Sequence, residues 1–399
     1  MCVAHVLTML GFGTFPGLLP TFLNIWGLSN TAAGWINGVY FGAYMAAVPI
    51  LVSLTDRVDP RRIYALGALV TALSLAGFAF WAHGAWSAAL LRALAGIGLA
   101  GTYMPGLKAL TDHLPEKNRS RAVAFYTSSF SIGSALSFLI AGEIAVDWGW
   151  RAAFFAAALG PIAALAIVGL LVPPSAPHHL APPTGALLDF RPVVRNRRAF
   201  AYVLAYSAHN WELFALRSWV VTFLVFAQSQ QGEGALGIAW SATALAAAIN
   251  VVGLPSSVFG NELAQRLGRR PTVIAIMGAS ALIALALGFL APLPFVLLVA
   301  VVILYGVTVT GDSASITIGA VANAAPGQRG ATMAVHSFVG FAGAFAGPLV
   351  FGMVLDAAGG GGSTLAWGLA FASSGVAVAM GPLVLVTLGR RVGAPARTP

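Results

Sequence analysis

The sequence predicts an all-α membrane protein with twelve transmembrane helices in two pseudo-symmetric bundles of six. Three observations predict it: a low content of charged residues, twelve apolar runs long enough to cross a membrane, and a repeat that relates the two halves. Charged residues make up 8% of the 399 residues, and hydrophobic residues make up 58%. Soluble domains contain about 25% charged residues. A chain of this composition cannot cover itself with polar groups, so the lipid bilayer is its expected surroundings.

The predicted helices follow from the length of the apolar runs. A helix needs roughly 20 apolar residues to cross the hydrocarbon core of a bilayer. Glycine and proline inside a run do not exclude a helix, because both are commoner in membrane helices than in soluble ones. The twelve runs, numbered below as spans 1 to 12, are 3–26, 31–53, 63–82, 87–111, 121–142, 151–172, 199–227, 236–259, 271–291, 294–320, 331–355 and 364–388.

The basic residues indicate the orientation of these spans. Eighteen of the 21 lysines and arginines fall at span ends, in loops or in the tail on one side, whereas the other side has only Arg151. Cytoplasmic loops carry an excess of Lys and Arg. We therefore expect the basic side to be cytoplasmic, with both termini there, in a plasma or inner membrane. The net charge of +9 then reflects topology, and we expect no nucleic-acid partner.

An internal repeat divides the chain. Residues 133–142 match 343–352 in their spacing of small residues, and residues 53–62 match 262–270, so both offsets are about 210 residues. Internal repeats are common in secondary transporters, whose substrate site lies near the midplane between the repeats. The predicted division is a first bundle at 1–172, a cytoplasmic linker loop at 173–198, and a second bundle with a short tail at 199–399.

Three motifs carry a resemblance to a known family. They are "LTDRVDPRR" at 54–62, "RALAGIG" at 92–98 and "GWRAAF" at 149–154. In this order, and over essentially the full length, the chain resembles the major facilitator superfamily. It departs from the family pattern at Val52, where the first motif has a glycine, and at Ser137-Phe138, where proton-coupled exporters have Gly-Pro. The second departure disfavours multidrug efflux.

The resemblance implies a mechanism as well as a fold. Two six-helix bundles rock about a central site lined by helices 1, 4, 7 and 10, and charges between helices 2 and 3 latch the cytoplasmic side. Charge pairs that form in one state and break in the other suit such a switch. Arg61 and Arg62 can alternatively be ordinary positive-inside charges, and Gln265 replaces the aspartate in the second half. The candidate latch residues are Asp56, Arg57, Arg61, Arg62, Arg266 and Arg269.

Span 7 carries a polar face. A charged side chain at a helix centre costs about 3 kcal/mol on insertion scales, so such residues normally face a wet cavity or a partner. At 100° per residue the polar residues of span 7 fall within an arc of roughly 160°. They are Tyr202, Tyr206, His209, Asn210, Glu212 and Arg217.

These residues predict a site for a proton and a solute. Glu212, with His209 three residues away, is expected to bind a proton or a substrate cation. Arg217 presents a planar fork of donors that suits a carboxylate or a similar oxyanion. The alternative is a structural pair between Glu212 and Arg217, although a spacing of five is poor for a direct bond within one helix.

Two further charges lie in spans that the family places at the cavity. Asp312 in span 10 is a candidate binding residue, with a helix-cap or interface role as the alternative. Arg92 in span 4 is expected to couple charge during transport, or else to make a buried structural contact. His336 lies near the start of span 11, where we expect a helix-end role.

The sequence therefore predicts a monomeric secondary transporter for a small polar solute, best an anion, coupled to protons. A proton-coupled drug or sugar exporter is one alternative, and a transporter-like sensor or scaffold is another. No nucleotide-binding loop or nucleophile motif indicates an enzyme. His178 and His179 lack further ligand residues, so we expect a solvated linker and no metal or cofactor.

Overall fold

Every regular element in the described part of the chain is a helix. The structure, a computed structural model, describes residues 1–174, 190–231 and 241–389. Short 3-10 turns lie at Met9–Gly11 and Gly288–Leu290. The α-helices are α1 Cys2–Thr8, α2 Thr14–Gly17, α3 Leu19–Ile25, α4 Asn30–Leu54, α5 Pro60–Trp81, α6 Ala85–Thr111, α7 Glu116–Leu171, α8 Arg191–Arg195, α9 Arg197–Ser229, α10 Ala242–Leu267, α11 Arg269–Leu287, α12 Phe295–Gly311, α13 Ser313–Ala322, α14 Arg329–Ala357 and α15 Thr364–Thr387.

The all-α membrane fold is confirmed, and the count of twelve spans is consistent with these helices. Nine helices in the described ranges are long and apolar enough to cross a membrane, with α12 and α13 taken as one. Helix α7, of 56 residues, turns at Gly149 (φ 79°, ψ 168°) and so supplies predicted spans 5 and 6. The charged helix α9 supplies span 7, and the broken segment from α1 to α3 supplies span 1.

The first span is not the continuous helix that the sequence predicts. It is interrupted around residues 9–13, where glycines at 11 and 13 weaken the helix. Ser137 of α7 satisfies the interrupted backbone, because its hydroxyl accepts from the amide of Gly13 (2.8 Å) and donates to the carbonyl of Leu10 (2.5 Å). A Gly-Pro pair in place of Ser137-Phe138 has no side chain that makes these bonds. The departure from the family pattern thus has a local structural role.

Each half packs through close helix contacts, and further helix contacts join the halves. Helix α5 lies against α6 in the first half and α11 against α15 in the second, while α4 packs on α14 and α7 packs on α10 across the halves. Gly67 and Gly101 bring α5 and α6 together: a Cβ at Gly67 would lie 2.8 Å from the backbone of Gly101. The division into bundles at 1–172 and 199–399 stays a prediction.

The two ends of the bundle differ in charge. Successive helices joined by short connections run antiparallel, which brings the connections around Arg57, Lys117 and Arg266 to one end, called here the basic side. The other end, called the opposite side, holds exposed Trp81 and Trp148. His178 and His179 of the predicted linker and the tail arginines Arg390, Arg391 and Arg397 lie outside the described residues.

Candidate functional site

The polar face of α9 lies inside the protein. Helix α9 begins after Asn196, whose side chain accepts a hydrogen bond from the amide of Ala199 (3.2 Å). Among the predicted residues of this face, Tyr206 and Arg217 are half-buried. The remaining four are buried, namely Tyr202, His209, Asn210 and Glu212. The structure thus gathers the span 7 residues between helices and not against lipid.

Glu212 is held by hydroxyl groups from the second half. The hydroxyl of Ser280 on α11 donates to Glu212 Oε1 (2.8 Å), and Thr308 on α12 donates in turn to Ser280 Oγ (3.2 Å). Glu212 Oε2 has no hydrogen-bond partner, although the residue is fully buried. One carboxyl oxygen therefore remains free to hold a proton.

His209 and Asp312 form a buried contact between an imidazole and a carboxyl group. His209 Nδ1 lies 2.8 Å from Asp312 Oδ1, and both side chains are at most 2% exposed. The two atoms are close enough for an ion pair, but they are not aligned for a hydrogen bond. Neither atom has another hydrogen-bond partner. Asp312 separates α12 from α13, so span 10 is also broken. Asp312 directly precedes α13, but its side chain is buried and makes no capping hydrogen bond, so its binding role stays a prediction.

Arg217 lies among aromatic rings from both halves. Its guanidinium carbon is 6.0 Å from the ring centre of Phe12 and 5.5 Å from those of Phe130 and Phe214. In the described ranges no carboxylate lies within 4.0 Å of Arg217, so it does not pair with Glu212. A small cavity beside Arg217 is also lined by Asn250, whose Oδ1 is buried without a partner.

Arg92 is a buried cation of the first half. Its guanidinium carbon lies 4.2 Å from the ring centre of Tyr40 on α4 and 5.7 Å from that of Phe15 on α2. Its Nε and Nη1 atoms have no hydrogen-bond partner, and no acid of the described chain lies within 4.0 Å. One guanidinium group in each half, that of buried Arg92 and that of half-buried Arg217, thus has no carboxylate within 4.0 Å among the described residues.

Two further histidines, His336 and His5, lie in aromatic stacks near this site. The sequence predicts a helix-end role for His336 and no role for His5. His336 is buried two turns inside α14, where it stacks on Tyr206 (3.9 Å between ring centres), so the predicted helix-end role is wrong. His5 stacks on Tyr126 (4.5 Å) and contacts Ser129 Oγ (2.7 Å). The first stack joins span 1 to span 5, and the second joins span 7 to span 11, which are the corresponding spans of the two halves. The histidine lies on span 1 in the first stack and on span 11 in the second. This exchange agrees with the internal repeat.

The candidate latch is not closed around Asp56 in this conformation. Asp56, Arg57 and Arg62 are exposed, and Asp56 has no ion pair within the described ranges. Arg61 pairs with Asp59 (3.0 Å) and donates to the carbonyl of Val172 (2.6 Å). The latch stays a prediction about another conformation.

The second-half latch residues differ from each other in exposure. Arg266 is exposed and pairs with Glu262 one turn earlier (3.0 Å). Arg269 is half-buried, and its Nε has no hydrogen-bond partner. No contact between these residues and Asp56 joins the halves in this conformation.

Comparisons with known proteins agree with the fold. The chain is 26% identical over 243 residues to "Protein spinster homolog 3" of Danio rerio. The matched region covers 58% of this chain and 48% of that protein. It thus spans about half the length of that relative. It is 22% identical over 309 residues to "Niacin transporter NiaP" of Acinetobacter baylyi, covering 69% and 68%.

A solved structure and a family model complete these comparisons. A bacterial homologue of the human lysosomal transporter Spinster, in an inward-facing and unoccupied conformation, superimposes with a TM-score of 0.75 at 16% identity, covering 97% of this chain and 93% of that one. The model of the Major Facilitator Superfamily matches residues 1–348. The chain therefore belongs to the Major Facilitator Superfamily.

Proposed function

We propose that the protein is a proton-coupled transporter of a small organic anion, which binds between the two halves and crosses by alternating access. Membership of the family makes the chain a membrane transporter of small solutes. The observation that supports an organic anion as the substrate is the surroundings of Arg217. Its guanidinium has no carboxylate beside it and lies among aromatic rings of both halves.

The anion is proposed from the charge balance around Arg217. A charge removed from water is costly unless it is paired, so the half-buried guanidinium of Arg217 favours a ligand that brings a negative group. Its fork of donors binds a carboxylate through two parallel hydrogen bonds. The rings of Phe12, Phe130 and Phe214 give the ligand a flat apolar surface. The name of the Acinetobacter relative mentions niacin, a carboxylate on an aromatic ring, which supports the same class.

Proton coupling is proposed from the acids of the second half. Glu212 has a free carboxyl oxygen, and the His209–Asp312 pair lies one helix turn away on the same face. A proton on Glu212 removes a charge from the interior, while the anion offsets the charge of Arg217. Binding of both therefore lowers the cost of moving the site through the membrane.

The alternatives fit the site less well. A sugar is neutral and many drugs are cations, so neither offsets the positive charge of Arg92 or that of Arg217. A sensor or scaffold has no use for a free carboxyl oxygen on buried Glu212. We also propose that the protein is a monomer in a plasma or inner membrane, with both termini on the cytoplasmic side.

Binding of nicotinate and nicotinamide to purified protein tests the proposal. The two compounds share a ring and differ in charge, so nicotinate is expected to bind more tightly. In Arg217→Gln the affinity for nicotinate is expected to fall about 10- to 100-fold, because a charge-assisted contact contributes about 1.5–3 kcal/mol. Arg121→Gln, which removes an exposed arginine outside the proposed site and latch, is the matched control and is expected to bind normally.

Three results would argue against the proposed site. Equal affinity for nicotinate and nicotinamide would show that the charge is not recognised. Unchanged binding in Arg217→Gln would remove Arg217 from the site. If no compound in a wider panel of aromatic and aliphatic carboxylates bound to the protein, an organic anion would be excluded as the substrate.

A further inference from the structure

The first turn of α4 is capped by a carboxylate from the other half of the molecule. Asp356, near the end of α14, accepts four hydrogen bonds there. Its Oδ1 accepts from the backbone amide of Asn30 (3.1 Å) and from Asn30 Nδ2 (2.8 Å). Its Oδ2 accepts from the backbone amide of Thr31 (2.7 Å) and from Thr31 Oγ1 (2.6 Å). One side chain thus bridges residues that are more than 320 positions apart.

This capping differs from an ordinary helix cap because it crosses between the halves. The first amides of a helix have no partner within the helix, and the helix dipole favours an anion beside them. Within α4 itself, Ser29 supplies the local cap by accepting from the amide of Ala32 (3.1 Å). The two earlier amides depend on Asp356. They lose these charge-assisted bonds when α14 moves away from α4.

The neighbouring contacts show that α4 and α14 touch backbone to backbone beside Asp356. A Cβ on Gly34 would clash with the carbonyl of Pro348, and one on Gly352 would clash with the carbonyl of Asn30. The indole of Trp219 donates to the same Pro348 carbonyl (3.0 Å). The helices are therefore in close contact on the opposite side of the bundle, and a rocking motion separates them there.

We propose that Asp356 and the first turn of α4 form a lock that holds the opposite side of the transporter closed. The lock breaks each time the central site opens to that side, and water then replaces the carboxylate at the α4 amides. Its charge-assisted bonds favour the closed state over the open one. The inference rests on the contact itself and is independent of the transported solute and of the coupling ion.

Distances between spin labels in liposomes test this lock. The chain has a single cysteine, so Cys2→Ser gives a cysteine-free background. Labels at Trp86→Cys on α6 and Leu365→Cys on α15 report the opposite side, since both residues are exposed there and belong to different halves. Asp356→Asn keeps the shape but turns an amide toward donors. The variant is expected to raise the population with a long distance between the two labels, relative to the population with a short distance, roughly tenfold or more.

Two variants separate the lock from general damage to α4. Thr31→Val removes one donor to Asp356 and is expected to shift the ratio in the same direction by less. Ser29→Ala removes the local cap of the same helix and is expected to leave the distances unchanged. Unchanged distances in Asp356→Asn and Thr31→Val would overturn the proposal. An equal shift in Ser29→Ala would also overturn it, because a weakened helix would then explain the opening.

Discussion

Glu212 and Arg217 are opposite charges on one helix that do not neutralise each other. Glu212 accepts a bond from Ser280, whereas Arg217 lies among aromatic rings that include Phe12 of the first half. A spacing of five residues turns the two side chains apart by about 140° at 100° per residue. Both charges therefore remain available for ligands of opposite sign, which is the basis of the proposed site.

Loss of one partner of the buried His209–Asp312 pair is expected to destabilise the protein strongly. Asp312→Asn leaves His209 without its carboxylate, and breaking a buried pair in this way costs about 3–5 kcal/mol. We expect a clear drop in the thermal unfolding temperature of the purified protein in detergent. The double variant His209→Gln with Asp312→Asn is expected to recover part of the loss. A stability of Asp312→Asn equal to that of the wild type would contradict a charged pair.

The polar residues of span 7 could be predicted because they repeat on one helical face, but their partners could not. Ser280 and Asp312 are 68 and 103 residues from the side chains that they contact. His5 was missed because a single histidine in an apolar run has no periodic signal. His336 was misplaced because its burial depends on contacts with Tyr206 and Thr317, which lie on other helices.

At the scale of helices, apolar length predicted the spans but not their interruptions. Span 1 is broken around Gly11 and Gly13, within an apolar run. Span 10 is broken at Asp312, within the small and polar stretch 310–315. The breaks depend on tertiary partners, namely Ser137 for span 1 and His209 for span 10. Spans 5 and 6 were expected to have a loop between them, whereas the helix continues to the turn at Gly149.

Close packing of α5 on α6 gives a prediction for two glycines. In Gly67→Ala the new methyl group meets the backbone of Gly101, which cannot move as a side chain can. Overpacking of this kind costs about 1–3 kcal/mol, so the unfolding temperature is expected to fall. Gly169→Ala on α7 is the matched control, because its Cβ meets nothing within 4 Å. Similar losses in both variants would indicate that helix contact at Gly67 is not the cause.

At the scale of the whole molecule, the repeat predicted how the halves correspond but not how they touch. The matching stacks of His5 on Tyr126 and Tyr206 on His336 follow the predicted offset closely. The capping of α4 by Asp356 has no counterpart in the motifs and depends on the relative position of the two halves. Sequence reasoning assigned a latch only to the basic side.

The predicted orientation can be tested by labelling in intact cells. On the cysteine-free background, Asn118→Cys on the basic side is expected to resist a membrane-impermeant thiol reagent added outside. Gly362→Cys on the opposite side is expected to react, since Gly362 is exposed in the connection before α15. The reverse pattern would place the basic side outside the cell.

The most direct test of proton-coupled anion transport is proton movement in liposomes that contain a pH-sensitive dye. Nicotinate added outside wild-type liposomes is expected to change the internal pH, and nicotinamide is not. Glu212→Gln removes the free carboxyl oxygen and is expected to abolish the change while nicotinate still binds. Proton movement that persists in Glu212→Gln would contradict Glu212 as the coupling residue. No proton movement with any carboxylate, in protein that binds and carries it, would contradict proton coupling itself.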